Sequence, residues 1–247
     1  MPGFASIPFN DIDRAMATID AHTCGVLVEP IQGEGGVFPA SPRFLSALRE
    51  RCDEVGALLI FDEIQCGLGR TGKFFAHENY SGVTPDILTL AKPLANGIPA
   101  GAILVSPKVA AMLKPGDHGT TFGGSPFASR LAIDVLKRIN SPAFLQHVSE
   151  TGKYFMSKLQ EVADSTPLIK EVRGQGLIIG IQLRDQVDAN MFVNEARERG
   201  VLLITAGNNT IRIVPPLIIT NKEVDKAVDV IEQVVNAMLT EYASGRV

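Results

Sequence analysis

The sequence is poor in cysteine, in basic residues and in long apolar runs, and each shortage excludes a class of protein. Its three cysteines are an odd number without CxxC spacing, so neither a disulfide framework nor a zinc site is expected, and a reducing compartment fits best. A net charge of -4 provides no basic surface for nucleic acid. No apolar run is long enough to span a bilayer, and no targeting peptide is visible at the N-terminus. The four histidines lack ligand spacing, so no metal site is predicted.

What remains is a chain of ordinary globular composition whose patterns predict an α/β fold. Helical patterns alternate with short apolar segments up to about residue 140, which is typical of a mostly parallel sheet covered by helices on both faces. From about residue 165, closely spaced strands beside two helices predict a smaller α+β domain. The expected domains are therefore residues 1–164 and residues 165–247. The predicted strands are 25–29, 57–61, 87–91, 102–105, a pair within 169–183, 201–204 and 210–214.

Helices are predicted where start and stop signals frame an apolar stripe. Asn10 is the expected N-cap of a first helix at 11–19, and Ser41 caps a second helix that ends at Gly56. Thr220, with a glutamate three residues later, forms a capping box for the last helix.

The predicted α/β part has only four strands. An open parallel sheet with a ligand site usually has more, and four strands leave two apolar edges unpaired. Either the chain is incomplete or a partner covers those edges.

Three successive predicted strands end in a polar residue: Glu29, Asp62 and Lys92. Ligands of open α/β sheets bind outside the carboxyl ends of the strands, so these side chains form a candidate site. A lysine is usually a solvated surface charge. Lys92, however, follows the apolar segment ILTLA and precedes Pro93, which favours an extended backbone before it. Desolvation in a crevice would lower the pKa of its amine and expose a neutral nucleophile suited to Schiff-base chemistry.

Asp62 would complement such a lysine in a site for pyridoxal 5'-phosphate (PLP). A fixed carboxylate keeps the pyridine nitrogen of PLP protonated, and Gln65, three residues on, could hydrogen-bond the phenolic oxygen. The alternative for Asp62 is a cap or turn residue, because Gly67 and Gly69 follow closely.

Five sequence blocks resemble, in order and spacing, the class III PLP-dependent aminotransferases. They are VEPIQGEGGV (28–37), IFDEIQCGLGRTGKFFAHE (60–78), PDILTLAKPLANGIPAGA (85–102), HGTTFGG (118–124) and IRIVPPL (211–217). The resemblance implies the PLP fold-type I large domain followed by a small C-terminal domain, and a homodimer with a shared active site. The blocks KPLANGIPAG and HGTTFGG favour transamination between N2-acetylornithine and 2-oxoglutarate, as in arginine biosynthesis. Ornithine or 4-aminobutyrate remain possible amino donors.

The resemblance also implies roles for the residues around the cofactor. Lys92 matches the lysine that forms the Schiff base and moves the proton, and Asp62 matches the partner of the pyridine nitrogen. Gln65 matches the contact to the ring hydroxyl. Glu63 and Ile64 belong to the same cofactor-binding segment.

The remaining matches concern the phosphate and the substrates. Thr121 matches the threonine that crosses the dimer interface to the PLP phosphate of the other subunit, with Thr120 beside it near the substrate. Arg212 matches the arginine that binds the α-carboxylate of 2-oxoglutarate and glutamate, and Glu34 matches the glutamate that pairs with this arginine. For Glu29, at the same strand ends, the resemblance implies a supporting role. The alternatives are an exposed strand arginine for Arg212, a solvated turn for Glu34 and a helix-capping turn for the two threonines.

The sequence departs from the family pattern upstream of these blocks. Family members carry there a Gly-Thr/Ser-rich turn that holds the PLP phosphate, an aromatic residue that stacks on the ring, and an arginine for the acyl substrate. None is present in this sequence, so the N-terminal portion is expected to be missing and the isolated chain to bind PLP weakly. A catalytically silent truncated product is therefore a second hypothesis. A PLP racemase or aminomutase is a third, which the Arg212–Glu34 match disfavours. A mitochondrial matrix location is expected, with the cytoplasm as the alternative.

Overall fold

The computed structural model describes residues 2–243, with side chains as far as residue 240. The chain forms two compact units. The first comprises the residues through Pro30, Ala40–Gly69 and Lys73–Ser141. The second comprises Ile31–Pro39, Arg70–Gly72 and the residues from Pro142 onward.

The helices and strands are numbered in chain order. The helices are α1 (Ile12–Thr18), α2 (Pro42–Val55), α3 (Pro107–Ala110), α4 (Pro126–Ile139), α5 (Pro142–Asp164), α6 (Ala189–Glu198) and α7 (Asn221–Ala243), with a 3-10 helix at Ala76–Asn79. The strands are β1 (Gly25–Val28), β2 (Ile31–Gln32), β3 (Phe38–Pro39), β4 (Leu58–Asp62), β5 (Ile87–Leu90), β6 (Ala102–Val105), β7 (Ile169–Gln175), β8 (Ile178–Leu183), β9 (Ile204–Ala206) and β10 (Thr210–Ile213). No helix within residues 2–243 is long and apolar enough to cross a membrane.

The first unit is built on a four-stranded sheet in the order β1-β4-β5-β6. β1, β4 and β5 run parallel and β6 is antiparallel, which confirms the mostly parallel sheet expected from the sequence. Within the described part of the chain, the outer edges of β1 and β6 pair with no further strand. Leu27 on β1 and Ile103 on β6 are 67% and 66% exposed, so both edges of the sheet carry uncovered apolar side chains.

The core of the first unit lies where α1 and α2 pack on the sheet, around Phe44, Leu48 and Phe61. Helix α2 confirms its predicted signals: the Ser41 side chain accepts a hydrogen bond from the backbone of Phe44, and Gly56 ends the helix in the left-handed region at φ 78°.

The predicted cap of α1 is wrong by one residue. Asp11, rather than Asn10, caps the helix by accepting from Arg14 N at 2.9 Å. Asn10 lies at φ 65°, where it cannot occupy the extended conformation of an N-cap. Its Oδ1 instead accepts a 2.7 Å hydrogen bond from the backbone N–H of Ser41.

The second unit is an antiparallel sheet in the order β7-β8-β10-β9, covered by α5, α6 and α7. Its core includes Phe155, Ile181, Phe192 and Ile231, and it confirms the expected small α+β domain. The predicted capping box is also present, since the Thr220 backbone donates to Glu223 Oε2 at 2.8 Å.

The strand predicted at 201–204 is wrong. Val201 N–H still bonds to the carbonyl of Ala196 at 3.0 Å, so this segment closes the end of α6 instead of entering the sheet. β9 begins only at Ile204, because its register is set by the hairpin turn in which Asn208 and Asn209 take positive φ.

The predicted division at 164/165 assigns α5 to the first domain, whereas α5 lies in the second compact unit. The reason is its apolar face, since Val148, Phe155 and Leu159 belong to the same core as the strands β7 and β8. The domain limits themselves stay a prediction.

Candidate active site

The candidate site of the first unit lies at the carboxyl edge of its parallel strands. Asp62 is the last residue of β4 and is the register partner of Thr89 on β5. Lys92 follows the end of β5 by two residues, and Glu29 follows β1 directly. Because β1, β4 and β5 are parallel neighbours, these three residues leave the sheet at one edge, as the sequence predicts.

Asp62 is held by its own turn. The backbone N–H of Ile64 donates to Asp62 Oδ1 at 2.9 Å, and the N–H of Glu63 donates to the carbonyl of Thr89 at 3.1 Å. The bond from Ile64 is the contact expected if Asp62 is a turn residue. It engages one carboxylate oxygen of Asp62 and stabilises the turn.

Glu63 has a different environment from the one implied by a cofactor contact. Its carboxylate is fully buried and accepts from the backbone N–H groups of Ala76 at 2.5 Å and His77 at 2.8 Å. Nδ1 of His77 lies 2.8 Å from the same carboxylate. These contacts tie the segment after Asp62 to the 3-10 helix, and the backbone N–H and carbonyl of Glu63 are bonded to Thr89 and Gly67, so Glu63 stabilises the turn.

Gly67 closes this turn because no larger residue fits. A Cβ at this position would lie 2.8 Å from both the carbonyl oxygen and Oε2 of Glu63. The glycine thus permits the turn to fold back on the buried carboxylate. Gln65 and Ile64 are half-buried beside it.

Lys92 differs from its prediction in burial. The side chain is exposed, so residues 2–240 do not form the crevice that was expected to bury it. A tight turn follows, in which Leu94 N–H donates to the carbonyl of Ala91 at 2.6 Å. Thr120 and Thr121 are also exposed, between α3 and α4.

In the second unit, the structure joins Arg212 to Glu34, which lie 178 residues apart in the sequence. Nη1 of Arg212 is 2.6 Å from Oε1 of Glu34. Arg212 is only 7% exposed on β10, between β8 and β9, so the alternative of an exposed strand arginine is wrong. The Glu34 side chain is 70% exposed, although it forms this ion pair. The pair therefore joins a buried guanidinium to a solvent-facing carboxylate.

The model of the family described as aminotransferase class-III matches residues 6–235. The chain belongs to the class-III aminotransferases. Enzymes of this family use PLP.

Several class-III aminotransferases are similar along nearly the whole chain. The mitochondrial acetylornithine aminotransferase of Alnus glutinosa is 49% identical over 240 residues, which are 96% of this chain and 52% of the relative. That of Neurospora crassa is 46% identical over 243 residues, or 98% of this chain and 52% of the relative. The ornithine aminotransferase structure from Toxoplasma gondii ME49 is 35% identical, with a TM-score of 0.91 over 98% of this chain and 58% of its own. The chain thus spans about half the length of the curated relatives that it matches.

The residues at the strand ends fit the cofactor of the class-III aminotransferases. The site offers a carboxylate, Asp62, at the end of β4 and an amine, Lys92, after the adjacent β5. These are the two groups that a protonated pyridine nitrogen and an aldehyde require. Among residues 2–240, no cluster of His, Cys, Asp or Glu could hold a metal ion. The individual roles of the site residues stay predictions.

One residue of this class-III aminotransferase was not singled out from the sequence. Arg173 on β7 is 7% exposed, and its guanidinium contacts the loop that carries Glu34. The signal in the sequence is a charged residue beside glycines in the largely apolar segment VRGQGLIIG. Its partners come from distant segments, so the signal alone assigns no role.

Proposed function

We propose that the chain acts in PLP-dependent transamination between N2-acetylornithine and 2-oxoglutarate, in arginine biosynthesis. The observation that carries the proposal is the ion pair between the buried Arg212 and the exposed Glu34, at 2.6 Å. The resemblance of the chain to acetylornithine aminotransferases directs the choice of amino donor.

The ion pair suits an enzyme whose two substrates alternate at one site. A guanidinium binds a carboxylate through two parallel hydrogen bonds, so Arg212 suits the α-carboxylate of 2-oxoglutarate and of glutamate. An amino donor that reacts through its distal amine needs no carboxylate there. A buried guanidinium left without a counter-charge costs several kcal/mol, roughly 3–5 by analogy with broken buried pairs, and Glu34 avoids this cost by pairing with Arg212.

We assign the cofactor contacts to residues of the first unit. Bound PLP would supply an electron sink for the carbon from which a proton is lost. Nζ of Lys92 would attach the cofactor and then move the proton, while Asp62 would keep the pyridine nitrogen protonated. Gln65 would donate to the ring oxygen. Thr121 would reach the phosphate of the other subunit in a homodimer, with Thr120 near the substrate.

Two further points of the proposal depend on the relatives. The names of the Alnus and Neurospora proteins include the mitochondrion, and we propose the mitochondrial matrix as the location. The Toxoplasma structure is that of an ornithine aminotransferase, which keeps ornithine as the second candidate donor.

The test is a donor comparison with the purified protein, PLP and 2-oxoglutarate. Glutamate formation should be fastest with N2-acetylornithine, slower with ornithine and 4-aminobutyrate, and absent in the Lys92→Ala variant. Preference for ornithine would replace the proposed donor. PLP attached to Lys92 without glutamate formation from any donor would favour the catalytically silent alternative.

A further inference from the structure

The loop between β2 and β3 carries Glu34, and its backbone is anchored at successive carbonyl groups. The carbonyl of Glu34 accepts from the N–H of Gly207 at 2.8 Å. The next carbonyl, that of Gly35, accepts from Nδ2 of Asn208 at 3.0 Å. Both donors come from the turn between β9 and β10, so one side of the loop is fixed to the strand that carries Arg212.

Arg173 fixes the following part of the same loop. Its Nε donates to the carbonyl of Gly36 at 3.0 Å and to that of Val37 at 3.1 Å, and its Nη2 donates to Gly36 at 2.5 Å. The guanidinium carbon lies 3.8 Å from the centre of the Phe38 ring. The remaining acceptors of Arg173 are Thr210 Oγ1 at 3.0 Å, Gln182 Oε1 at 2.7 Å and Glu171 Oε2 at 2.9 Å.

The sheet register explains why two arginines meet one loop. Arg173 on β7 and Arg212 on β10 are both register partners of Gly180 on β8. Residues on one rung of a sheet point to the same face, so both arginines flank Gly180 on that face. A Cβ at Gly180 would lie 2.9 Å from Cβ of Val37, so the loop rests on the glycine between the two arginines.

We infer that Arg173 is a positioning residue for the Glu34–Arg212 ion pair, and that it sets the preference between amino donor and dicarboxylate. This inference rests on the proposed function. With the loop backbone anchored from Glu34 to Val37, closing the pair requires rotation of the exposed Glu34 side chain alone, at a small cost in conformational entropy. Dicarboxylate binding to Arg212 opens the pair and does not depend on the loop position. Loss of the contacts between Arg173 and the loop therefore weakens binding of the amino donor more than binding of the dicarboxylate.

The first experiment measures the loop directly, by hydrogen exchange in the Arg173→Lys variant. A lysine keeps the charge but cannot donate to several acceptors in one plane or stack on Phe38 in the same way. The peptide covering residues 33–38 should exchange about tenfold faster, because charge-assisted hydrogen bonds to two carbonyls are lost. Exchange in α7 should be unchanged. Unchanged exchange in the loop would overturn the inference.

The second experiment separates the two substrates kinetically. In Arg173→Lys, the KM for N2-acetylornithine should rise about tenfold, while the KM for 2-oxoglutarate should stay within about twofold, because only the closed pair is weakened. An equal loss for both substrates would show a merely structural role and overturn the inference. Glu171→Ala is the control. The Glu171 side chain is 53% exposed, so the loss of its ion pair with Arg173 should change neither KM.

A second variant keeps the test decisive if Arg173→Lys does not fold. Phe38→Leu removes the stacked ring but leaves every hydrogen bond of Arg173 possible, so the same split should appear at about threefold. Faster hydrogen exchange of the peptide 33–38 in Phe38→Leu would support the positioning role even if the protein has no turnover. A wild-type protein that produces no glutamate would refute the proposed function alone, whereas an anchored loop in both variants would refute the role of Arg173 alone.

Discussion

Replacing Glu63 by glutamine should destabilise the first unit far more than the size of the change suggests. The Glu63 side chain is fully buried, and its two oxygens face the N–H groups of Ala76 and His77 and Nδ1 of His77. Glutamine has nearly the same shape but only one acceptor oxygen. Its NH2 group would therefore face a backbone N–H donor in a buried site.

The magnitude follows from the bonds that are lost. A hydrogen bond to a charged group contributes about 1.5–3 kcal/mol, and a buried donor left without an acceptor costs about 1–3 kcal/mol. One hydrogen bond is lost, and the remaining ones are made to a neutral amide oxygen instead of a carboxylate. We therefore expect a decrease of about 2–4 kcal/mol in the free energy of unfolding. With a urea slope of about 1–3 kcal/mol/M, the midpoint should fall by about 0.7–4 M.

Urea unfolding followed by far-ultraviolet circular dichroism measures this shift, since the chain has no tryptophan to report by fluorescence. Glu78→Gln is the matched control: Glu78 accepts from Phe74 N–H at 3.1 Å in the same segment but is exposed, and its loss should cost less than about 0.5 kcal/mol. Equal shifts in the two variants would refute the reasoning, because burial would then make no difference to the cost.

Three further predictions concern the reactive side chains. Borohydride reduction should attach PLP to residue 92 of the wild-type protein but not of the Lys92→Ala variant, as measured by peptide mass spectrometry. The urea unfolding midpoint of Lys92→Ala should equal that of the wild type, because the Lys92 side chain is exposed. Arg212→Lys should raise the KM for 2-oxoglutarate about tenfold or more in initial-rate assays, since an ammonium group cannot hold both carboxylate oxygens in one plane. Burial raises the pKa of the Cys52 thiol to about 11, so at about pH 8 a disulfide reagent should titrate exposed Cys24 quickly and should titrate Cys52 and Cys66 only after denaturation. Rapid reaction of all three thiols in the native protein would contradict the last prediction.

The elements that local signals specify were predictable. Helix α2 follows from Ser41, an apolar stripe and Gly56, and the capping box at Thr220 needs only four consecutive residues. The errors arise where tertiary contacts decide the local structure. Asn10 looks like a cap, but its side chain binds Ser41 from a distant segment, and Val201 completes α6 although its neighbours are apolar.

Some features of the candidate site were likewise predictable from the sequence, and others were not. The strand-end positions of Asp62 and Lys92 follow from counting buried strands, because parallel strands end at one edge. The buried role of Glu63 could not be predicted, since its partners Ala76 and His77 are set by the turn that Gly67 permits. The exposure of Lys92 could not be predicted either, because it depends on what covers the strand end.

The sequence by itself determined the alternation of helices and strands, the family and the residue types at the strand ends, because these depend on periodicity and on short motifs. Only the tertiary structure decided that Arg212 is buried against Glu34 and that Arg173 anchors the same loop. The physical reason is register: pairing on either side of Gly180 aligns two arginines that lie far apart in the chain, and a glycine there leaves room for the loop.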